Sequence, residues 1–355
     1  MTFEKNLFDK LPTGEEVYAY TFRTEKGAEA TILTYGGIVN RLLVPDKNGK
    51  LVDVICGFDN IESYLKHKGS YYGALIGRYG NRIANGSFTL NGKVYTLAKN
   101  DKGLKTLHGG NIGFDSKFWD AVPFVEKTKA GLELTLVSPD GDEGFPGTLT
   151  VKVTYTFDEE NALTIRYEAE TDADTVINLT NHSYFNLLGC GHPTNADHYM
   201  MIDSDYITEV DGTLVPTGNK YAVEGTAFDF RKPTKIGDRI DDTTDSQIAL
   251  GGGYDHNFIL KADGTVKKVA EVYAEESGIV MSVLTNQPGV QFYAGNFMKD
   301  TGVPFKGGKA QAKRAAFCLE TQHAPDCPNH PEFESTVLKP GEKYDYTTIY
   351  KFTAK

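Results

Sequence analysis

Two ionisable side chains lie within apolar stretches of the sequence, where water is expected to be scarce. His182 sits in the segment VINLTNHSYFNLL (176–188), and Glu320 ends the segment AAFCLE (315–320). Burying a polar group is unfavourable unless the group finds a partner. His182 is therefore either a hydrogen-bonded structural histidine or part of the floor of a cleft. Glu320 is either a solvated strand terminus or a catalytic base.

Polar residues recur in several other short segments that could contribute to a cleft. Side chains at alternate positions of a strand share a face, so Asn178, Thr180 and His182 are expected together on a polar cleft floor. By the same rule Asp255 and Asn257 share a face. The remaining candidates lie in the segments GRYGNRIA (77–84), TLHGG (106–110) and GVQFY (289–293). Each of these signals is weak by itself.

Several familiar catalytic and binding motifs are missing. No serine occupies a G-x-S-x-G turn, the glycines at 251–253 lack the Lys-Ser/Thr pair of a phosphate-binding loop, and no G-x-G-x-x-G follows a strand pattern. Cys318, His323, Cys327 and His330 lie close together in the sequence, but their spacing differs from that of known zinc fingers. We therefore predict no metal site.

The elements that must position these residues are mainly strands. Apolar and polar residues alternate in segments such as VYAYTFR (17–23), LELTLV (132–137) and TLTVKVTYTF (148–157). A repeat of two residues is typical of a half-buried strand. Asn91-Gly92 supplies the positive φ angles of a two-residue turn, which predicts a hairpin over residues 88–95.

Helical periodicity is nearly absent from the chain. Residues 61–67, preceded by Asn60, predict one short helix. Many short strands separated by turn residues indicate an all-β fold, a large antiparallel β-sandwich with very little helix. We find no linker, no repeat and no shift in composition, so we expect one continuous domain over residues 1–355.

The composition narrows the class of protein. The chain has 355 residues with 37 Lys or Arg and 48 Asp or Glu, a formal charge of −11, and no basic cluster, which argues against nucleic-acid binding. No apolar run approaches the ~18 residues of a membrane span, and residues 1–10 lack the apolar stretch of a signal peptide. We expect a cytoplasmic protein with four reduced cysteines and with neither a membrane nor a nucleic-acid partner.

A set of ordered motifs resembles the aldose 1-epimerase (galactose mutarotase) family. The motifs span nearly the whole chain and are GRYGNRIANG (77–86), TLHGG (106–110), NLTNHSYFNLLG (178–189), GYDHNF (253–258), VQFYAGNF (290–297) and LETQHAPDCPNHPEFES (319–335). The family fold is a large, supersandwich-like antiparallel β-sandwich, which agrees with the strand pattern. The resemblance implies an isomerase that interconverts the α and β anomers of free aldohexoses such as galactose and glucose, with no cofactor.

The resemblance also implies a role for individual residues. It places the general base at Glu320 and the general acid at His182. The sugar-positioning groups fall on Asn81, Arg82, His108, Asp255 and Gln291. A buried arginine usually needs a carboxylate, so Arg82 and Asp255 could simply pair with each other, and both roles can coexist. The implied partner is a small-molecule aldose, and the protein is either a monomer or a homodimer.

The pKa values of the two central groups set a condition on this chemistry. Glu320 as carboxylate and His182 as imidazolium coexist only below about pH 6.5 if both pKa values are ordinary. An opposite charge nearby raises the pKa of the histidine and lowers that of the glutamate. We therefore expect the two charged forms to coexist over a wider pH range. The rate is then expected to follow a bell-shaped pH profile whose upper limb reports His182.

Two other classes of function share parts of the pattern. A glycoside hydrolase needs two carboxylates that flank the scissile bond, and Glu320 and Asp255 would have to serve. A non-catalytic sugar-binding protein on the same fold is the other alternative, because folds are reused. Pure binding does not need an acid and a base, so the presence of both Glu320 and His182 favours the isomerase.

Overall fold

Strands make up most of the protein. In the computed structural model, which describes residues 1–355, 44% of the residues lie in strands and 9% in helices. The α-helices are α1 (Ile61–Lys66) and α2 (Ser246–Gly251), and no helix is long and apolar enough to cross a membrane. In chain order, the strands are β1 (Thr2–Lys10), β2 (Glu16–Arg23), β3 (Glu29–Leu33), β4 (Val39–Pro45), β5 (Leu51–Asp53), β6 (Leu75–Ile76), β7 (Arg82–Ile83), β8 (Ser87–Leu90), β9 (Lys93–Thr96), β10 (Thr106–Leu107), β11 (Asp120–Val125), β12 (Lys129–Ser138), β13 (Leu149–Asp158), β14 (Ala162–Thr171), β15 (Thr175–Val176), β16 (Thr180–Asn181), β17 (Tyr199–Ile202), β18 (Tyr206–Val210), β19 (Pro216–Ala222), β20 (Thr234–Lys235), β21 (Asp255–Ile259), β22 (Lys267–Tyr273), β23 (Ile279–Thr285), β24 (Gly289–Tyr293), β25 (Cys318–Gln322), β26 (Val337–Leu338) and β27 (Tyr344–Ala354).

Three antiparallel sheets form the framework. The largest has nine strands in the order β11-β12-β13-β14-β27-β23-β22-β17-β20. Two five-stranded sheets have the orders β1-β2-β3-β4-β5 and β19-β18-β21-β24-β25, and the remaining strands form two-stranded pairs. One cluster of 58 buried apolar residues takes side chains from all three sheets, so they share a core. The predicted all-β sandwich with very little helix is confirmed.

The alternation of apolar and polar residues builds this core. In β13, the side chains of Val151, Val153, Tyr155 and Phe157 are buried, and the residues between them are more exposed. Successive side chains of a strand point to opposite faces, so one face of the sheet lies in the core. Burying each large apolar side chain contributes about 1.5–3 kcal/mol to stability.

Two local predictions from the sequence are confirmed, and the structure contains one short helix that the sequence did not predict. Strands β8 and β9 form the hairpin around Asn91 and Gly92, whose φ angles are 52° and 76°. Helix α1 begins after Asn60, whose side chain accepts a hydrogen bond from the N–H of Ser63 at 2.9 Å. Helix α2 has only six residues, too few for helical periodicity to appear in the sequence, and it is capped by Asp245.

The segment around Asn178 differs from the predicted strand. Only Thr180–Asn181 is a strand there, and it pairs with β6. The side chain of Asn178 is fully buried, and its amide donates hydrogen bonds to the carbonyls of Gly80 at 3.3 Å and His323 at 3.2 Å. Asn178 therefore connects two loops behind the sheet edge and does not form part of a cleft floor.

A buried arginine holds the neighbouring loops together. The guanidinium of Arg78 donates hydrogen bonds to the carbonyls of Pro146 and Gly147 at 2.7 Å each, of Ser138 at 2.9 Å and of Pro139 at 3.1 Å. Burial lowers the pKa of Arg78 to about 10, so the side chain remains charged at neutral pH. Buried carbonyl groups without a donor are unfavourable, and Arg78 satisfies several of them at once.

Arg78→Met is expected to lower the free energy of unfolding by about 3–5 kcal/mol, because it retains the apolar stem but leaves several buried carbonyl groups without a donor. Arg41→Met is the control, since the side chain of Arg41 is 44% exposed and its loss is expected to change stability by less than about 1 kcal/mol. Urea unfolding followed by circular dichroism measures both. Equal losses in the two variants would contradict the structural role of Arg78.

Candidate active site

The side chains singled out in the family motifs line a single cavity. The cavity has a volume of about 130 Å³ and contains residues from well-separated parts of the chain. Its lining includes every residue predicted for the site, namely Asn81, Arg82, His108, His182, Asp255, Gln291 and Glu320. Asn178 and Thr180, which were expected on the same face as His182, do not line it.

Three neighbouring strands carry the acidic and amide groups of the cavity. Asp255 begins β21, Gln291 lies in the middle of β24, and Glu320 lies in the middle of β25. The strand register places Gln291 directly opposite Glu320, and opposite residues of an antiparallel pair share a face. The amide of Gln291 donates a hydrogen bond to Oδ1 of Asp255 at 2.7 Å. The sheet therefore holds these three groups in a fixed relative arrangement.

His182 approaches Glu320 from an irregular segment beside this sheet. The distance from Nε2 of His182 to Oε1 of Glu320 is 3.6 Å, and the second carboxyl oxygen of Glu320 has no hydrogen-bond partner. The backbone N–H of His182 donates to the carbonyl of Ala74, and the carbonyl of His182 accepts from the N–H of Gly73, each at 2.9 Å. The backbone of an otherwise irregular segment is thus fixed, and the imidazole is within reach of the same small molecule as the carboxyl group.

Arg82 lies between two carboxylates at the edge of the cavity. Its Nη2 is 3.8 Å from Oδ2 of Asp255, and its Nε is 3.6 Å from Oδ2 of Asp101. The pairing with Asp255 agrees with the expectation from the sequence. The contact with Asp101 was not predicted, because that residue precedes a turn and carries no motif. Two acidic neighbours neutralise the guanidinium while its donor groups remain close to the cavity.

His108 and Asn81 form a reciprocal backbone contact. The N–H of Asn81 donates to Nδ1 of His108 at 3.1 Å, and the N–H of His108 donates to the carbonyl of Asn81 at 3.0 Å. Burial lowers the pKa of His108 well below its ordinary value, so the ring is neutral. Because Nδ1 accepts a hydrogen bond, the ring proton lies on Nε2. His108 is therefore a hydrogen-bond donor of the cavity.

The hydrogen bond from the N–H of Asn81 to Nδ1 of His108 also disfavours metal binding. Ligand atoms of His108, His182 and Glu320 lie within 4.8 Å of one another, a set that could in principle hold a divalent ion. A metal ion would need the lone pair of Nε2 of His108, which requires the proton to move to Nδ1. The N–H of Asn81 already points at Nδ1 and opposes that tautomer. The geometry thus favours hydrogen bonding over metal coordination.

Burial shifts the pKa values of His182 and Glu320 against the expected ion pair. Loss of hydration lowers the pKa of His182 to about 4. It raises the pKa of Glu320 well above the ordinary value, and the Asp255 carboxylate raises it further while Arg82 opposes the shift. The expectation that opposite charges widen the pH range of the charged pair is wrong for this site, because the loss of hydration outweighs the attraction between the two charges. Both shifts favour the form in which Glu320 carries the proton and neither side chain is charged.

Two tyrosine rings stack on the imidazole of His182. The ring centroid of Tyr184 is 5.0 Å away with an interplanar angle of 24°, and that of Tyr71 is 5.9 Å away with an angle of 28°. Neither Tyr184 nor Tyr71 was among the predicted site residues. Tyr71 adopts a left-handed φ of 55°, a conformation that bulky residues rarely adopt. No local pattern in the sequence predicts this conformation. The rings restrain the orientation of the imidazole.

Comparison with known proteins gives the family. A family model described as aldose 1-epimerase matches residues 18–351. The chain belongs to the aldose 1-epimerase family. Relatives of this epimerase-family chain include the galactose mutarotase of Bos taurus, 44% identical over 98% of this chain and 97% of that protein, and the aldose 1-epimerase of Escherichia coli K12, 35% identical over 97% of each. The crystal structure of galactose 1-epimerase from Lactobacillus acidophilus NCFM superposes with a TM-score of 0.86, at 29% identity, over 99% of both chains.

In this epimerase-family protein, Glu320→Gln is expected to increase stability at neutral pH. The folded-state pKa of Glu320 is raised, so the folded state retains a proton that the unfolded chain releases above the ordinary glutamate pKa of 4.5. Stability of the wild type therefore declines as the pH rises above that value, whereas an amide does not titrate. Urea unfolding of both proteins between acidic and neutral pH measures the difference. A constant difference across this range would contradict the raised pKa.

Proposed function

We propose that this protein is an aldose 1-epimerase that interconverts the α and β anomers of free aldohexoses such as galactose and glucose. The observation that carries the proposal is the approach of the His182 imidazole to the Glu320 carboxyl group, 3.6 Å apart on a cavity whose lining also includes all the predicted sugar-positioning groups. Membership of the aldose 1-epimerase family supports it. The related galactose mutarotase and aldose 1-epimerase carry the same activity in their names.

The reaction requires opening and closing of the hemiacetal ring. Glu320 as carboxylate takes the proton of the C1 hydroxyl, and His182 as imidazolium protonates the ring oxygen O5 while the C1–O5 bond breaks. The open-chain aldehyde then turns about the C1–C2 bond. In closure His182 takes the proton back from O5, O5 attacks the other face of C1, and Glu320 returns its proton to O1. Both groups end the cycle in their starting states, and no electron transfer is needed.

One proton on the acid–base pair is sufficient for this cycle. Both side chains are uncharged when the proton lies on Glu320, and the reactive form has it on Nε2 of His182. The two forms carry the same total charge, so their interconversion takes no proton from solvent. Sugar hydroxyls that donate to the Glu320 carboxylate stabilise the reactive form. Burial also makes imidazolium a strong acid toward O5, because the pKa of His182 is lowered to about 4.

The remaining polar groups suit the other hydroxyls of the sugar. His108 offers a donor, Asp255 an acceptor, and Asn81, Arg82 and Gln291 further donors or acceptors. Arg82 is the one lysine or arginine side chain that lines the cavity, and two carboxylates neutralise it. A phosphate group favours uncompensated basic residues, so we infer that free sugars are the substrates. Neither a glycoside hydrolase nor a non-catalytic binding protein has support among the relatives.

We also infer that residues 1–355 form one catalytic domain, because the cavity and the core take residues from most of the chain. The four cysteines are buried free thiols, which supports a reducing compartment such as the cytoplasm. The expectation of a monomer or a homodimer stays a prediction.

Glu320→Gln and His182→Asn are each expected to reduce the rate of mutarotation by about 10²–10⁴-fold, because each removes one of the two proton-transfer groups. Polarimetry on freshly dissolved α-D-galactose and α-D-glucose measures the rate, after subtraction of the spontaneous reaction. Glu62→Gln, on the exposed surface of α1, is the matched control and is expected to retain full activity. A Glu320→Gln variant with a rate close to that of the wild type would remove the carboxylate from the mechanism.

The pH profile of kcat/KM is expected to be bell-shaped with a plateau through neutral pH. The acid limb lies near the lowered pKa of His182, about 4, where the pair takes up a second proton. The alkaline limb lies well above the ordinary pKa of glutamate, where the pair loses its only proton. Both limbs belong to the coupled pair, so the alkaline limb does not report His182 alone. Half-loss of activity near pH 6.5, as for an isolated histidine with a pKa of about 6.5, would contradict the assignment.

A further inference from the structure

The two ring nitrogens of His182 face alternate residues of a single strand. Cys318 and Glu320 are two positions apart on β25, so their side chains share a face. Nδ1 of His182 lies 3.5 Å from Sγ of Cys318, and Nε2 lies 3.6 Å from Oε1 of Glu320. One strand thus provides a partner for each nitrogen of the imidazole.

We propose that Cys318 is a positioning residue for His182, whose sulfur accepts a hydrogen bond from Nδ1–H and keeps that proton in place. The tautomer of a neutral histidine is set by the hydrogen bond of one ring nitrogen, which determines the protonation of the other. With the proton held at Nδ1, Nε2 is the only ring position that exchanges a proton with Glu320 and the sugar. The catalytic consequence rests on the function proposed above, whereas the tautomer itself does not.

The groups on both sides of the ring support this direction of the hydrogen bond. The raised pKa of Glu320 favours a protonated carboxyl group, which faces Nε2 at 3.6 Å and donates to it, so the ring proton lies on Nδ1. Cys318 is fully buried, and its sulfur has no polar contact other than His182. Burial raises the pKa of the thiol well above its ordinary value, and the carboxyl groups of Glu320 and Asp255 raise it further, so the group stays neutral. A neutral sulfur is a weak acceptor. It orients the ring without the strong attraction for imidazolium that a carboxylate in the same place would exert.

The charged groups around His182 fit the same assignment. Glu320 faces Nε2, Arg82 and Asp255 line the same cavity, and His108 is neutral with its ring centroid 5.2 Å away. Among side chains, Cys318 is the hydrogen-bond partner of Nδ1. A backbone hydrogen bond within His182 also favours a protonated ring nitrogen, and it adds to the effect of the thiol. A ring flip would replace Nδ1 by a carbon and lose the contact, and the stacked Tyr184 ring resists such motion.

Nitrogen NMR of the protein with ¹⁵N-labelled histidine tests the proposal directly. The resonances of His182 are assigned by their disappearance in His182→Asn. At neutral pH, without sugar, we expect Nδ1 to be protonated and Nε2 to be unprotonated in the wild type. A proton on Nε2 would overturn the proposal, whatever the activity of the enzyme.

Variants at Cys318 connect the tautomer to the rate. In Cys318→Ala, we expect mixed tautomers and a kcat lowered by about two- to tenfold with KM unchanged, the range of a single hydrogen bond. Cys318→Ser has a hydroxyl oxygen that accepts the same bond, so it is expected to restore the wild-type tautomer and most of kcat. Cys190→Ala removes another buried thiol as a control, and it is expected to leave the tautomer of His182 and kcat unchanged.

The outcomes separate this proposal from the proposed function. A Cys318→Ala variant with the wild-type tautomer and the wild-type kcat would contradict a positioning role. If Cys318→Ala fails to fold, the tautomers of the wild type and of Cys318→Ser test the proposal. A proton on Nε2 in either protein would contradict it. Full activity of Glu320→Gln would instead contradict the epimerase mechanism and would leave the tautomer unaffected.

Discussion

The site depends on the removal of water from a carboxyl group and an imidazole that lie side by side. In water at mildly acidic pH such a pair consists of carboxylate and imidazolium, each stabilised by hydration. Burial disfavours both charges together, and it outweighs the attraction between them at His182 and Glu320. Neither group is then held in a charged form, and a single proton can pass between them. The same loss of hydration strengthens every hydrogen bond that the cavity makes to a bound ligand.

Two different kinds of backbone hold the carboxyl group and the imidazole side by side. Glu320 lies within β25, between β-ladder hydrogen bonds, whereas His182 follows only two residues of strand and depends on individual bonds to Gly73 and Ala74. Arg78 and Asn178 supply further polar contacts to the loops around that segment. The regular sheet therefore positions the carboxyl group of Glu320, and a network of buried polar groups positions the imidazole of His182.

Much of the fold is predictable because it follows from local rules. Alternating residues predict the strands, Asn91-Gly92 predicts a hairpin, and Asn60 predicts the start of a helix. The site residues could be named only through the family resemblance, since each polar segment is weak by itself and the cavity forms through long-range contacts. The direction of the pKa shifts at His182 and Glu320 was not predictable, because it depends on how completely the folded chain excludes water.

The position of β27 has a consequence for how the protein folds. This strand is the last along the chain, yet it lies between β14 and β23 in the middle of the largest sheet. Until it is inserted, β14 and β23 expose unpaired backbone edges that are prone to aggregation. During synthesis the sheet therefore cannot close until β27 has left the ribosome, and pairing between segments so far apart in the sequence is intrinsically slow.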